Sequence, residues 1–483
     1  MSRRAIVIGS GPNGLSAAIV LAQAGLDVEV REAASVIGGG TRSGELTLPG
    51  FTHDLGSAVY PMAVSSPFFT KLHLENYGLK WIWSPAELAH PLDDGTAVIV
   101  ERNVAATAEQ FPPDADAYRE IFNPLVERWG TLFAEVFRPL RLPAHPLLLA
   151  LLGVRGIQPA VFLAKSSFRT QRARALFAGQ AAHSKLKLEA PLSSAFGLIM
   201  GASAHATGWP IPQGGAQQIA NALSSVLSAV GGSIVTNSPV RSLNELPPSD
   251  LVLCDITPRQ FLAIADGRLN QTFSSLLEQY RYGPGVFKVD WALREPIPWR
   301  AKECLLAATV HVGGTLEEIA DSERSPWQGR VSRRPFVLLV QPSLFDPTRA
   351  PSGRHTAWAY CEVPNGYTGS ALEEIEQQVE RFAPGFRECV LARAIHGPPQ
   401  LERWNQNLVG GDVGGGSVEL KQLFLRPTWR RYRTPLEGVY LCSSSTPPGG
   451  AVHGMCGYYA AQWALADLRK KRKPSRFDNQ IPR

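Results

Sequence analysis

The chain is predicted to be an α/β protein, in which one nucleotide-type α/β unit is interleaved with a second, α+β domain. Three observations carry this expectation. A buried strand, a glycine turn and a helix open the chain over residues 4–24. Short apolar strands of the same kind return near residues 233–236, 251–254 and 438–442, and the last runs into a helix over 454–468. The long segments between them differ in texture and hold no nucleotide fingerprint. One domain spread over three distant stretches implies that the rest is inserted, and that one ligand is gripped from three places. At 483 residues the chain exceeds what a single core usually organises, which also favours two packed domains.

The first unit reads clearly. Residues 4–8, Arg-Ala-Ile-Val-Ile, form a buried strand; residues 14–24 are a helix and 27–31 a second strand. Between them runs Gly9-Ser10-Gly11-Pro12-Asn13-Gly14. Gly9 permits the tight turn, Gly11 lets backbone approach a pyrophosphate, and Gly14 lets helix and strand pack closely. The helix start then offers free N–H groups and a positive dipole end to phosphates. Glu32, followed by Ala33, ends the second strand about 20 residues on, where an acid accepts hydrogen bonds from a ribose. This fingerprint specifies a dinucleotide without choosing between NAD and FAD.

Further along, residues 70–205 read as mostly helical, rich in Leu, Phe and Ala. Gly214-Gly215 opens a helix that ends near Gly231-Gly232. Strands are expected at 286–293, 336–340 and 356–361. In the first of these, Phe287, Val289, Trp291 and Leu293 share one face, so Lys288 and Asp290 project from the other. Gly414-Gly415-Gly416 lacks a preceding strand, so no second dinucleotide domain is expected.

Composition narrows the function classes. A hydrophobic share of 44% with 19% charged residues is that of a soluble globular protein. The longest apolar run, near residues 146–154, is too short to span a bilayer. No apolar stretch of signal-peptide length follows Arg3-Arg4. The net charge of +6 is concentrated in the basic end from Arg469 to Arg476. It reads as a flexible, solvated tail over 471–483, with contact to anionic lipid as the second reading; no recognised motif supports nucleic-acid binding. The six cysteines are scattered, with neither CxxC nor metal-ligand spacing, which points to a reducing, cytoplasmic setting and no metal site.

Five stretches resemble a known family. Gly38-Gly39-Gly40-Thr41-Arg42-Ser43 resembles the arginine loop over the FAD pyrophosphate, and Phe51 to Val59, with Gly56 and Ser57, the turn that follows it. Gly214-Gly215 with residues 220–223 is similar to the family's P-x-G-G helix. Val240 matches the valine whose backbone meets the adenine, and Tyr440 to Gly454 the C-terminal flavin motif. Together they identify a phytoene desaturase-like FAD-dependent oxidoreductase of the flavin amine oxidase superfamily. The nearest branch holds the pyridine nucleotide-disulphide oxidoreductase domain-containing protein 2 group and the desaturase-like carotenoid ketolases. Departures are Cys442-Ser443-Ser444-Ser445 and Ala451, where relatives carry a Gly-Ala or Gly-Glu pair and a third glycine.

The resemblance implies a Rossmann-like FAD-binding domain over 1–70, 205–285 and 425–470, and a substrate domain over 71–204 and 286–424. It implies FAD held by Gly9, Gly11, Pro12, Asn13, Gly14, Glu32, Ala33, Gly39, Gly40, Thr41, Arg42, Gly56, Ser57, Val240, Ser444, Gly450, Val452, His453, Gly454 and Met455. Arg42 has a surface salt bridge as its plainer reading, and His453 a packed side chain rather than a base. By the same likeness Lys288 holds a water near flavin N5; a simple pairing with Asp290 is the alternative. The implied reaction takes a hydride from a hydrophobic, isoprenoid or lipid-like substrate to flavin N5, as desaturases and dehydrogenases do. Electrons then pass to oxygen, a quinone or a protein acceptor. Two other readings stand beside it: a flavin amine oxidase, for which Tyr458 and Tyr459 are weak cage candidates, and a non-enzymatic prenyl or lipid carrier. Residues 133–168 form either a buried helix pair or a face for peripheral membrane contact.

Overall fold

The structure is a computed structural model describing residues 3–470. The basic tail expected over 471–483 lies outside the described residues.

One core is a five-stranded parallel sheet in the order Val439–Leu441, Leu251–Cys254, Arg4–Ile8, Asp27–Arg31, Ser233–Val235. Three distant parts of the chain therefore build it. Arg4–Ile8 lies at its centre, and Ala5, Ile6 and Val7 have no exposed surface, as an all-apolar run in a parallel sheet requires. The helix Pro12–Gln23 begins with Pro at its first turn, where the missing N–H costs nothing. It is buried from Asn13 to Ala22, packed between the helices Gln217–Ala229 and Met455–Lys470. Small residues make that approach feasible: a Cβ on Gly457 would stand 1.8 Å from the Asn13 carbonyl oxygen.

The second core is a seven-stranded sheet in the order Val390–His396, Gly285–Leu293, His355–Val363, Val337–Val340, Thr309–Val312, Leu88–Pro91, Ala97–Val100. Phe287, Val289, Trp291 and Leu293 enter its apolar core with Ile375, Val379 and Phe382 of the helix Leu372–Phe382. The opposite face carries Lys288 against Tyr360 and Asp290 against Trp358 in antiparallel register.

Residues 115–206 supply six helices packed around Phe111, Tyr118, Phe122, Phe133 and Phe168. The segment expected to be mostly helical also contributes Leu88–Pro91 and Ala97–Val100, the far edge of the second sheet. Each is four residues long and fully buried, too short to show a period, so only the tertiary pairing identifies it as strand.

Candidate functional site

A cavity of about 1180 Å³ runs from the glycine turn to the second sheet and on into the helical segment. Single small-molecule sites occupy about 300–1,000 Å³, so this space suits a dinucleotide together with a substrate.

At one end the glycine turn is shaped by its neighbours. Gly9 sits at φ +96°, a conformation that favours glycine, and its N–H donates to the Arg31 carbonyl at 2.8 Å. A Cβ on Gly14 would lie 2.1 Å from the Gly9 carbonyl oxygen, and one on Gly11 2.7 Å from Asp255 Oδ2. That same Asp255 oxygen accepts the Gly14 N–H at 2.8 Å. Burial pushes the Asp255 carboxyl up to about 7, with the Gly14 bond opposing and Glu32 adding to the rise. Asp255 was not singled out in the sequence; its one signal was an acid directly after a short apolar strand.

Glu32 is anchored across the turn. Its Oε2 accepts from the Ser10 N–H at 2.9 Å and the Ser10 hydroxyl at 2.6 Å, while Oε1 accepts from the Ala34 N–H at 2.8 Å. Exposed Ala33, with Pro12 and Asn13, lies beside it on the cavity wall. Val240 faces the same end, on a segment tied down by the Ser238 N–H donating to the Glu32 carbonyl.

The Gly39–Thr41 turn packs directly on the glycine turn: a Cβ on Gly39 would lie 3.1 Å from Gly11 Cα. One on Gly40 meets nothing within 4 Å, so that backbone borders open cavity. Gly56 fits under it, 2.2 Å from the Gly40 oxygen if a Cβ were added, and the Ser57 N–H donates to that oxygen at 3.1 Å. The Thr41 hydroxyl closes the turn on the Gly38 carbonyl. Arg42 lines the cavity, but a residue of the inserted segment clasps it. Nη2 donates to the Trp404 carbonyl at 2.8 Å, and the guanidinium lies 4.3 Å from the Trp404 ring centre. Burial lowers its pKa, and Glu32 partly offsets that. Asn407, on the same loop, exchanges hydrogen bonds with Thr257 and Asp255 backbone at 3.0 Å. No sequence pattern pointed to this 404–407 loop.

The C-terminal motif closes over the turn. The Asn13 amide donates to the Ser444 hydroxyl at 3.5 Å, and buried Arg426 donates to the Ser444 carbonyl at 2.9 Å. Gly450 leaves room for the Gly414 carbonyl, 2.7 Å from where its Cβ would be. Ala451, exposed on the wall, stands at φ +110°, which only glycine adopts freely. Val452 follows on the wall; Gly454, at φ +70°, seats the helix start against Ser16. His453 is fully buried. Its Nδ1 accepts the Met455 N–H at 3.0 Å, and its carbonyl accepts the Ser66 hydroxyl at 2.7 Å. Burial pushes its pKa down to about 4, so the ring is neutral at ordinary pH and caps the last helix.

Towards the substrate end, Lys288 reaches the wall with 3% of its surface exposed, ion-paired to Asp290 and 5.5 Å from the Trp358 ring centre. Trp358 and Tyr360 lie nearly parallel at 14°, centres 5.8 Å apart. Tyr458 and Tyr459 pack against each other away from the wall. The helical segment lines the cavity with apolar Val136, Phe137, Leu149, Phe196, Ile199 and Met200, interspersed with Glu135, Arg138, Arg141, His183 and Lys185. At the rim Leu142 is 92% and Leu147 85% exposed. The helices Pro146–Gly156 and Ala160–Ser167 are bent by 93° across 157–159; among the described residues no single helix is long and apolar enough to cross a membrane. Nor do the described residues group into a metal site.

Residues 7–72 match the NAD(P)-binding Rossmann-like domain. Over 96% of this chain and 94% of the relative, the sequence is 27% identical to pyridine nucleotide-disulfide oxidoreductase domain-containing protein 2 of Rattus norvegicus. It is 24% identical to the neurosporene-forming phytoene desaturase of Rhodobacter capsulatus over 50% of this chain and 51% of that one. The fold matches cyclohexylamine oxidase of Brevibacterium oxydans with a TM-score of 0.60 at 14% identity, covering 97% and 100% of the two chains. The chain is accordingly a homologue of pyridine nucleotide-disulfide oxidoreductase domain-containing protein 2 and of phytoene desaturase, an oxidoreductase with a Rossmann-like domain on the fold of the flavin amine oxidases.

Proposed function

We propose that the protein is an FAD-dependent oxidoreductase that removes a hydride from an apolar, isoprenoid- or lipid-like substrate in a desaturase- or dehydrogenase-like reaction. The observation that carries this reading is the continuity of the cavity, from the glycine turn past Lys288 to a stretch of wall that includes Val136, Phe137, Leu149, Phe196, Ile199 and Met200. FAD, when bound, supplies the hydride acceptor at N5. The residues present fit it. Gly40 leaves backbone open for a pyrophosphate, and Glu32 is braced beside the place for a ribose. Ser444, Gly450, Ala451 and Val452 would lie along the flavin, whereas His453, Gly454 and Met455 are buried behind them.

The remaining chemistry belongs to the chain. The apolar wall excludes water and orients a long substrate against the flavin end. Lys288 holds its ammonium at that wall, fixed by Asp290. The exposed leucines at the rim, with exposed Arg141 on the neighbouring wall, support peripheral contact with a lipid surface from which an apolar substrate enters. An amine oxidase draws support from the fold and from Trp358 and Tyr360. Those rings stand side by side on one strand, whereas a cage needs two rings facing each other across a gap.

The test is anaerobic incubation of the purified yellow protein with lipid and polar metabolite fractions, following the flavin band. Bleaching by the lipid fraction is expected. Bleaching by polar amines alone would replace this reading with amine oxidation, and a colourless protein would favour the carrier.

A further inference from the structure

Behind Lys288 lies a polar cluster that the reaction above leaves unused. Asp290 has no exposed surface. Its Oδ2 takes the Lys288 ammonium and stands 3.6 Å from His396 Nδ1; its Oδ1 stands 3.6 Å from His53 Nδ1. Asp290 Oδ1, His53 Nδ1 and His396 Nδ1 are all buried without a hydrogen-bond partner. Buried polar atoms are almost always paired, so two orphan ring nitrogens converging on one carboxylate, itself with an orphan oxygen, call for a role. At 3.6 Å each contact is a few tenths of an ångström from a hydrogen bond.

The cluster has two ends. Lys288 forms part of the cavity wall, and His396 does not. His396 lies on the edge strand Val390–His396, directly opposite Lys288 in register, and 26% of its side chain is exposed. Its Nδ1 is buried towards Asp290, so the exposed part of the ring faces outwards. The charged groups around Asp290 are Lys288 on its own strand, His396 on the edge strand, and His53 from the strand Thr52–Asp54. Behind His53 stands the buried Arg349–Asp54 pair at 2.6 Å. Burial pushes His53 down to about 4, opposed by Asp290 and reinforced by Lys288 and Arg349. Its other nitrogen is taken by the Thr47 hydroxyl at 2.8 Å. His53 thus stays neutral inside, and His396 is the branch that reaches water. Burial also raises Asp290, but Lys288, His396 and His53 hold its carboxyl below the usual range.

We propose that Lys288, Asp290 and His396 form a proton exit from the cavity to bulk water, with Asp290 as the positioning residue at its centre. The inference rests on the oxidoreductase reading. Converting a C–C single bond to a double bond breaks two C–H bonds: one hydrogen leaves as hydride to the flavin with two electrons, the other as a proton. The Lys288 ammonium first passes a proton to Asp290 Oδ2. Asp290 hands it to His396 Nδ1, and the imidazole releases its Nε2 proton to water. The neutral Lys288 amine left behind then takes the substrate proton and is an ammonium again. One proton enters and one leaves, and no charge accumulates.

The test uses holoenzyme of the wild type, Asp290→Asn and His396→Ala, with nitrogen NMR of labelled histidines and single-turnover bleaching by a total lipid extract in detergent. In Asp290→Asn the His396 Nδ1 resonance moves, because the carboxylate that faces this nitrogen at 3.6 Å is gone. In His396→Ala bleaching slows at least about tenfold at unchanged flavin content, and added imidazole restores it. An unmoved His396 Nδ1 resonance overturns the exit, and so does a His396→Ala variant that bleaches at the wild-type rate or gains nothing from imidazole. A wild type that no extract bleaches sinks the oxidoreductase reading itself and the exit with it; normal wild-type bleaching beside an unaffected His396→Ala sinks the exit alone.

Discussion

The two ends of the cavity are built on opposite principles. At the dinucleotide end, backbone meets backbone: Gly9, Gly14, Gly56 and Gly450 stand where almost no side chain fits, and Asp255, Glu32 and Asn407 tie distant segments together. At the end proposed for the substrate, side chains rather than backbone make the wall, with apolar ones predominant on the helical segment and the Lys288–Asp290 pair on the second sheet. The first end should therefore fail abruptly on small changes, whereas the second should tolerate volume-conserving ones.

Gly14→Ala is the sharpest way to break the comparison. Its Cβ would press on the Gly9 oxygen, so about 3 kcal/mol of stability is lost and the purified protein comes out without its yellow colour, as absorbance and thermal unfolding would report. If the variant keeps both, the backbone contact does not govern this end.

Next in size is the rim proposed to meet a lipid surface. Replacing Leu142 and Leu147 together by Asp should lower liposome flotation at least about tenfold, since each buried leucine contributes about 1.5–3 kcal/mol, while melting temperature stays put because both are exposed. Unchanged flotation would remove the lipid surface from the reading.

Asp255 gives a pH signature. Its folded pKa, about 7, lies above the ordinary 3.8, so the folded state binds the extra proton between those values. Its contribution is therefore fully present below about pH 4 and lost as pH rises through 7. Wild type minus Asp255→Asn stability should fall over that window in thermal scans; a flat difference would show that the carboxyl titrates normally. The smallest effect is at Ala451. Replacing it with Gly should relieve its left-handed strain and raise stability by at most about 1 kcal/mol, readable as a slightly higher melting temperature.

Which parts were legible beforehand follows the same division. The strands 4–8, 27–31 and 251–254 are found where the apolar pattern placed them, and Lys288 and Asp290 share the face that alternation assigned. The strands at 88–91 and 97–100 went unseen because four buried residues carry no period.

The sequence by itself determined the glycine turn, the acid that follows it and the face of Lys288, because turn chemistry and periodicities of 2 and 3.6 are local properties of a few neighbouring residues. Only the tertiary structure decided that Asp255 receives the Gly14 N–H across 241 positions, that Trp404 clasps Arg42 across 362, and that His396 stands opposite Lys288. Such contacts depend on how separately formed elements pack and register, and no local pattern records that.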